Sequence, residues 1–177
     1  MASMRAELFI VHLATALSLI CCDEAAPTEA AVEAHVERMC TKNGARLSCM
    51  TSNVITRAVE LEDEVPGEER QSMRVEGDAQ SGYLLADASG ENCLTVHSFE
   101  EDAEVSMSTC VRGENLPGAS QRWVFEAVAQ QNGAYRIKSA SSPEFCIAAR
   151  PHPLQELAIV ALARCGAEDP TQIWMRV

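Results

Sequence analysis

Aromatic residues make up only 5% of this 177-residue chain. Two Trp, two Tyr and four Phe cannot build a core dominated by ring packing. Basic residues are scarce as well: 14 Lys and Arg stand against 26 Asp and Glu, a net charge of −12. The excess divides as 0 over residues 1 to 22, −7 over 23 to 80 and −5 over 81 to 177. That balance disfavours nucleic acid and anionic lipid surfaces as partners, because both attract basic patches. The apolar stretch Leu8 to Ile20 is too short to span a bilayer and is interrupted by His12. No long helical period runs through the chain; short apolar runs punctuated by Gly, Pro, Ser and Asn form an all-β pattern instead.

Chemistry-bearing motifs are equally sparse. His35, His97 and His152 lie in no nucleophile elbow, paired-carboxylate motif or metal-ligand spacing, so the chain does not read as an enzyme. No Cys-x-x-Cys or His-x-x-x-His pair supports a zinc site, and sets such as Cys93, His97 and Cys110 or Cys146, His152 and Cys165 are weak. The acidic run from Glu60 to Glu64, with Glu68 and Glu69, lacks the alternating ligands and turn glycine of a calcium loop. It reads as a solvated loop, and no cofactor or metal is expected.

What the chain does have is a repeat. Gln121-Arg122-Trp123 and Gln172-Ile173-Trp174 lie 51 residues apart, each after a cysteine pair, Cys93…Cys110 and Cys146…Cys165. A Gln two residues from a Trp shares its strand face, where its amide can satisfy backbone groups beside the buried ring. A third, worn copy lies 50 residues upstream: Gln71-Ser72-Met73, with Met in the Trp slot and Cys49 as the first cysteine. Its second cysteine is missing near Glu60 to Glu64. Tyr83 and Tyr135 follow their glutamines by 12 and 14 residues, which extends the match. Met is flexible and apolar but supplies less area than Trp, so the first repeat should be the least well packed.

Over residues 46 to 177 this pattern resembles the ricin B-type lectins. The resemblance implies a β-trefoil of three degenerate Cys…Cys…Gln-x-Trp repeats, with Gln71, Met73, Trp123 and Trp174 as repeat core. It implies the disulfides Cys93–Cys110 and Cys146–Cys165, which leaves Cys40–Cys49 by default. It also implies glycan binding, for which Gln121 and Gln172 are the candidate residues that remain. In sugar-competent repeats of that family an Asp lies two positions after the first cysteine; here the positions hold Thr51, Thr95 and Ala148. The stacking aromatic, two positions before the second cysteine, is replaced by Ser108 and Ala163. The Asn before the glutamine is replaced by Arg70, Ser120 and Thr171. His97, Phe99, Glu100 and Asp102 offer a non-standard loop site, although a mobile polar loop is the better account of them. The other function a trefoil supports is protein binding, as a protease inhibitor or an accessory subunit of a toxin or surface assembly. Arg112 to Gly118 is an exposed-loop candidate for that use.

Residues 1 to 22 read as an export signal, with Arg5 before the apolar stretch. Cys22 stands where a bacterial lipoprotein signal would place its acylated cysteine; cleavage after Cys22 by an ordinary signal peptidase is the alternative. Residues 23 to 39 read as an acidic, Ala-rich tether whose second half, from Thr28, is a candidate short helix. The domain is expected over 40 to 177. A secreted or cell-envelope location follows, with any membrane contact made through a lipid at Cys22.

Overall fold

The computed structural model describes residues 34–43, 45–112, 120–129, 131–152 and 158–177. Every described residue belongs to one compact unit, residues 32–177. The signal segment, Cys22, the helix expected from Thr28 and residues 113–118 of the Arg112 loop lie outside the described residues.

Thirteen strands follow in order: β1 (His35–Glu37), β2 (Met39–Asn43), β3 (Arg46–Ser52), β4 (Val59–Asp63), β5 (Met73–Asp78), β6 (Gly82–Ala86) and β7 (Asn92–Val96). Then come β8 (Val105–Thr109), β9 (Trp123–Ala127), β10 (Ala134–Ser139), β11 (Phe145–Pro151), β12 (Ala158–Arg164) and β13 (Trp174–Arg176). All pairings are antiparallel, as short connections require.

Two layers result. β5, β6, β9, β10, β13 and β2 pair in that sequence. β1, separated from β2 only by Arg38, pairs with β5 and closes the ring. Arg38 itself exchanges two backbone hydrogen bonds of 3.0 Å with Val177. The remaining hairpins, β3–β4, β7–β8 and β11–β12, join one another. β12 pairs with β4, and bridges link Ala58 to Ser106 and Glu104 to Ala161. A six-stranded barrel with a triplet of mutually paired hairpins is the β-trefoil arrangement, and closure leaves the barrel no free edge.

One boundary differs from the sequence reading. The tether was expected to run to residue 39, yet His35–Glu37 is a strand and Met39 is fully buried. The barrel needs a sixth member beside β5, and these residues supply it.

One main core cluster fills the fold, with a smaller one of Leu84, Ala86 and Cys93 beside the Cys93–Cys110 bond. Trp123 and Trp174 are its largest buried side chains, joined by Leu85, Leu94, Ile137, Ile147 and Leu162. The first repeat and the strand before it contribute three methionines, Met39, Met50 and Met73. The tyrosines mark the repeat register: Tyr83 pairs with Trp123, and Tyr135 with Trp174.

Candidate functional site

The three glutamines show how the repeat is built. Gln121 donates from Nε2 to the Thr109 carbonyl (3.0 Å) and to Thr95 Oγ1 (2.9 Å), and its Oε1 accepts from the Val111 N–H (2.8 Å). Gln71 repeats this with the Asp63 carbonyl (2.9 Å), Thr51 Oγ1 (3.3 Å) and the Val65 N–H (2.9 Å). Gln172 bonds the Arg164 carbonyl (2.8 Å) and the Gly166 N–H (2.9 Å), but takes Asp169 Oδ2 (3.1 Å) where the others take a threonine. Each amide therefore ties the end of one strand to the loop before the next, inside the protein. Both donor hydrogens are committed in all three, so Gln121 and Gln172 have none to offer a ligand.

Thr51 and Thr95 occupy the positions where the resembled family carries its sugar-binding Asp. Both are buried, and each also donates to the carbonyl of its own repeat's cysteine, Cys49 or Cys93. The polar pair has closed on itself. Ala148, the matching position of the third repeat, and Ala163, at that repeat's aromatic position, are fully buried.

The disulfides are Cys40–Cys49, Cys93–Cys110 and Cys146–Cys165. Cys93 faces Ser108 and Cys146 faces Ala163, each two residues before its partner cysteine; Cys49 faces Glu62. The missing cysteine is therefore at Glu64. Its N–H bonds the Leu47 carbonyl just as Cys110 bonds Glu91 and Cys165 bonds Glu144. Glu64 is ion-paired with Arg38 at 3.1 Å, and Cys49 turns instead to Cys40 directly across from it on β2.

A cleft of about 650 Å³ opens where the third-repeat hairpin meets the loop of the second. Glu101, Asp102, Glu104, Arg150, His152 and Ile159 line it, with Pro151 and Ala161. Arg150 is its most connected lining residue. It donates to Thr171 Oγ1 (2.9 Å) and Asp102 Oδ1 (3.2 Å), and its guanidinium lies 3.6 Å from Glu101 and 3.7 Å from Asp169. Asp102 is held by its N–H on the Leu162 carbonyl (2.9 Å) and sits at φ 60°. Burial raises the Asp169 carboxyl, but the hydrogen bonds from Thr171 and the Arg150 charge outweigh it and hold the group below its ordinary value.

This cleft lies on a familiar face. Ala148 and Arg150 alternate onto the same side of β11, opposite Ala161 and Ile159 of β12. The usual third-repeat sugar positions thus lead outward along one face to Arg150. Chemically, the cleft offers carboxylate acceptors, a fixed cationic donor and the apolar surface of Ile159 and Pro151.

Of the loop residues singled out in the sequence, only Asp102 lines the cleft; His152, which the sequence offered only in a weak zinc set, lines it too. Phe99 instead packs on the core beside Phe145, and His97 Nε2 bonds Ser106 Oγ at 3.0 Å. Arg150, Glu101, Glu104 and Asp169 were not anticipated. Their only sequence signal is position, Arg150 two residues beyond Ala148 and Asp169 two before Thr171. Among the described residues, no group of His, Cys, Asp and Glu is placed to hold a metal ion.

No protein-family model and no curated protein matches the sequence. Solved structures do match the fold. The agglutinin of Abrus precatorius superposes with a TM-score of 0.63 at 19% identity, over 83% of this chain and 48% of that one, so this chain spans about half of it. A ricin B-like lectin of Macrolepiota procera, in complex with lactose, gives 0.61 at 10% identity over 80% and 94%. The cytolethal distending toxin of Haemophilus ducreyi gives 0.57 at 17% identity over 79% and 81%. Barrel and hairpin triplet agree with these likenesses: the chain is a β-trefoil with the ricin B-type lectin fold.

Proposed function

We propose that the protein is a carbohydrate-binding module whose ligand site is the Arg150 cleft, not the three usual pockets. The observation that carries this reading is the cleft's position and chemistry together. It lies on the face of the third-repeat hairpin where the resembled family binds sugar, and it supplies directed acceptors beside a small apolar surface. Carboxylates such as Asp102 and Glu101 accept hydrogen bonds from adjacent sugar hydroxyls, while Ile159 and Pro151 cover the ring's apolar face. The buried glutamines keep the hairpin in place and leave recognition to the cleft. The role is binding, not catalysis.

Three disulfides support function in an oxidising compartment outside the cytoplasm. Export through residues 1 to 22 belongs to the same proposal, with either acylation at Cys22 or cleavage after it; intact mass of the mature protein separates the two.

Glycan-array binding of the folded, disulfide-intact protein is the test. Binding to one sugar class, competed by free sugar and reduced at least tenfold by Asp102→Ala and by Arg150→Ala, is expected. Binding indifferent to both substitutions would move the site elsewhere, and a folded protein that binds no glycan would remove the function. Protein binding is the second reading, favoured by the exposed apolar pair Val54 and Ile55 between β3 and β4.

A further inference from the structure

The Arg150 cleft carries a charge that decides which glycans it can admit. Its lining sets one guanidinium, Arg150, against the carboxylates of Glu101, Asp102 and Glu104. Asp169, 3.7 Å from Arg150, is a fourth carboxylate on the same cation. Glu60 lies directly across from Ile159 on the neighbouring strand, so it faces the same side of the sheet. Arg164, whose N–H bonds Glu101, holds its own guanidinium over the Phe145 ring, 5.4 Å from the centroid, and does not line the cleft. One positive charge cannot neutralise this set.

Arg150 is also fully occupied. Its Nε donates to Asp102, its Nη1 donates to Thr171 beside Asp169, and its Nη2 lies 3.6 Å from Glu101. Each nitrogen of the group therefore has a protein oxygen. An incoming carboxylate or sulfate would have to displace one of these partners and enter a field that is already negative. Glu104 is the opposite case. Its backbone is fixed by a bridge to Ala161, its side chain is exposed on the cleft wall, and among the described residues it makes no ion pair. The cleft thus has no vacant cationic donor and one vacant anionic acceptor.

We propose that the cleft selects glycans by charge, with Glu104 as the specificity-determining residue. It takes hexosamines with a free, protonated amino group over their N-acetylated counterparts, and it rejects sialylated and uronic-acid glycans. This rests on the cleft being the ligand site. Sugar hydroxyls still reach Asp102 and Glu101, because a carboxylate paired with an arginine keeps further acceptor positions. The sugar ammonium adds a charge-assisted hydrogen bond to Glu104. Ile159 and Pro151 are indifferent to charge, so the apolar wall serves every ring alike and leaves discrimination to the carboxylates.

The test uses the full, disulfide-intact chain on an array of matched glycans. Glucosamine and galactosamine oligomers stand beside their N-acetylated forms, and lactose beside sialylated lactose. A pH of about 6 keeps both the carboxylates and the amines ionised. The free-amine forms should bind about fivefold more tightly than the N-acetylated ones, the upper end for a solvent-exposed ion pair. Glu104→Gln and added salt should each bring that ratio toward one, and sialylated lactose should bind more weakly than lactose. Glu104 is exposed, so the variant should melt with the wild type. Equal or weaker binding of the free-amine forms, a ratio unmoved by Glu104→Gln, or sialylated lactose bound as tightly as lactose would overturn the proposal. If those results come with neutral glycans bound in an Arg150-dependent way, the cleft stands as the ligand site and only its charge selectivity falls. If no glycan of any charge binds, the cleft reading falls and takes this inference with it.

Discussion

The first and second repeats share one backbone and differ in what holds it. In the second, the Trp123 indole N–H donates to the Leu94 carbonyl at 3.0 Å; in the third, Trp174 does the same to Ile147. The first repeat has Met73 there, equally buried but with no donor. The second closes its hairpin with Cys93–Cys110, whereas the first has Glu64 paired to Arg38 at that position and sends Cys49 to β2. The Gln–Thr anchor survives in both. The fold therefore tolerates loss of ring and crosslink in one third of its symmetry while the glutamine amide stays. A barrel end must satisfy its backbone groups however its core is filled.

The largest effect that tests this comparison is removal of the rings. Trp123→Ala and Trp174→Ala should each cost about 3–5 kcal/mol, through lost area, a cavity and an orphaned carbonyl. Met73→Ala removes less area and no hydrogen bond, and should cost about 2–3 kcal/mol, at the low end for large buried side chains. Denaturant titration of the three variants checks the ranking. Equal losses would mean that the first repeat is as tightly built as the others.

Much of this was legible in the chain. The Gln-x-Trp spacing located both tryptophans and, 50 residues upstream, Met73, because a trefoil's repeats must present the same face to one core. It did not show that Thr51 and Thr95 had turned inward. A threonine two residues after a cysteine reads as a lost Asp until Gln71 and Gln121 are seen to bond it. The strand at His35–Glu37 was hidden by its shortness and by the Ala-rich stretch before it. The cleft was illegible for a different reason: Arg150 and Asp102 lie 48 residues apart and meet only when two repeats pack.

A middle-sized effect separates the second and third anchors. Gln121 leans on a hydroxyl that does not titrate, whereas Gln172 leans on Asp169. Thr95→Val should cost about 1–2 kcal/mol by leaving a buried amide donor unpaired. Acid should act on the third repeat instead. The folded Asp169 carboxyl lies below its ordinary value, so its contribution is complete above that ordinary value and is lost as pH falls through the depressed folded one. Hydrogen exchange of the two indole N–H groups reads this directly. Trp174 should lose protection before Trp123 as pH drops below about 4, after correction for intrinsic exchange rates. Simultaneous loss would show that Asp169 has no local role.

The smallest effect comes from giving the first repeat back the crosslink of the others. The Glu64 N–H already makes the hydrogen bond that Cys110 and Cys165 make, so the backbone geometry for a bond from Cys49 to position 64 is in place. In a Cys40→Ala, Glu64→Cys chain the new bond should form, closing a slightly longer loop than the 9-residue separation of Cys40–Cys49. Chain-entropy reasoning makes that worth a few tenths of a kcal/mol more, roughly, than the native bond. Against it stands the lost ion pair. Arg38 is mostly buried, and its Nη1 has no hydrogen-bond partner, so removing Glu64 leaves a charge with little solvent. With both side chains a fifth to a quarter exposed, this loss is about 1 kcal/mol, so the variant should be slightly less stable than the native chain, by roughly half a kcal/mol. Alkylation and peptide mapping would detect the bond, and thermal melting the balance. Two free thiols in the folded variant would show that the first hairpin has drifted from the geometry of its sisters. A bonded but strongly destabilised variant would show that the Arg38–Glu64 pair, and not the crosslink, now locks the strand that closes the barrel.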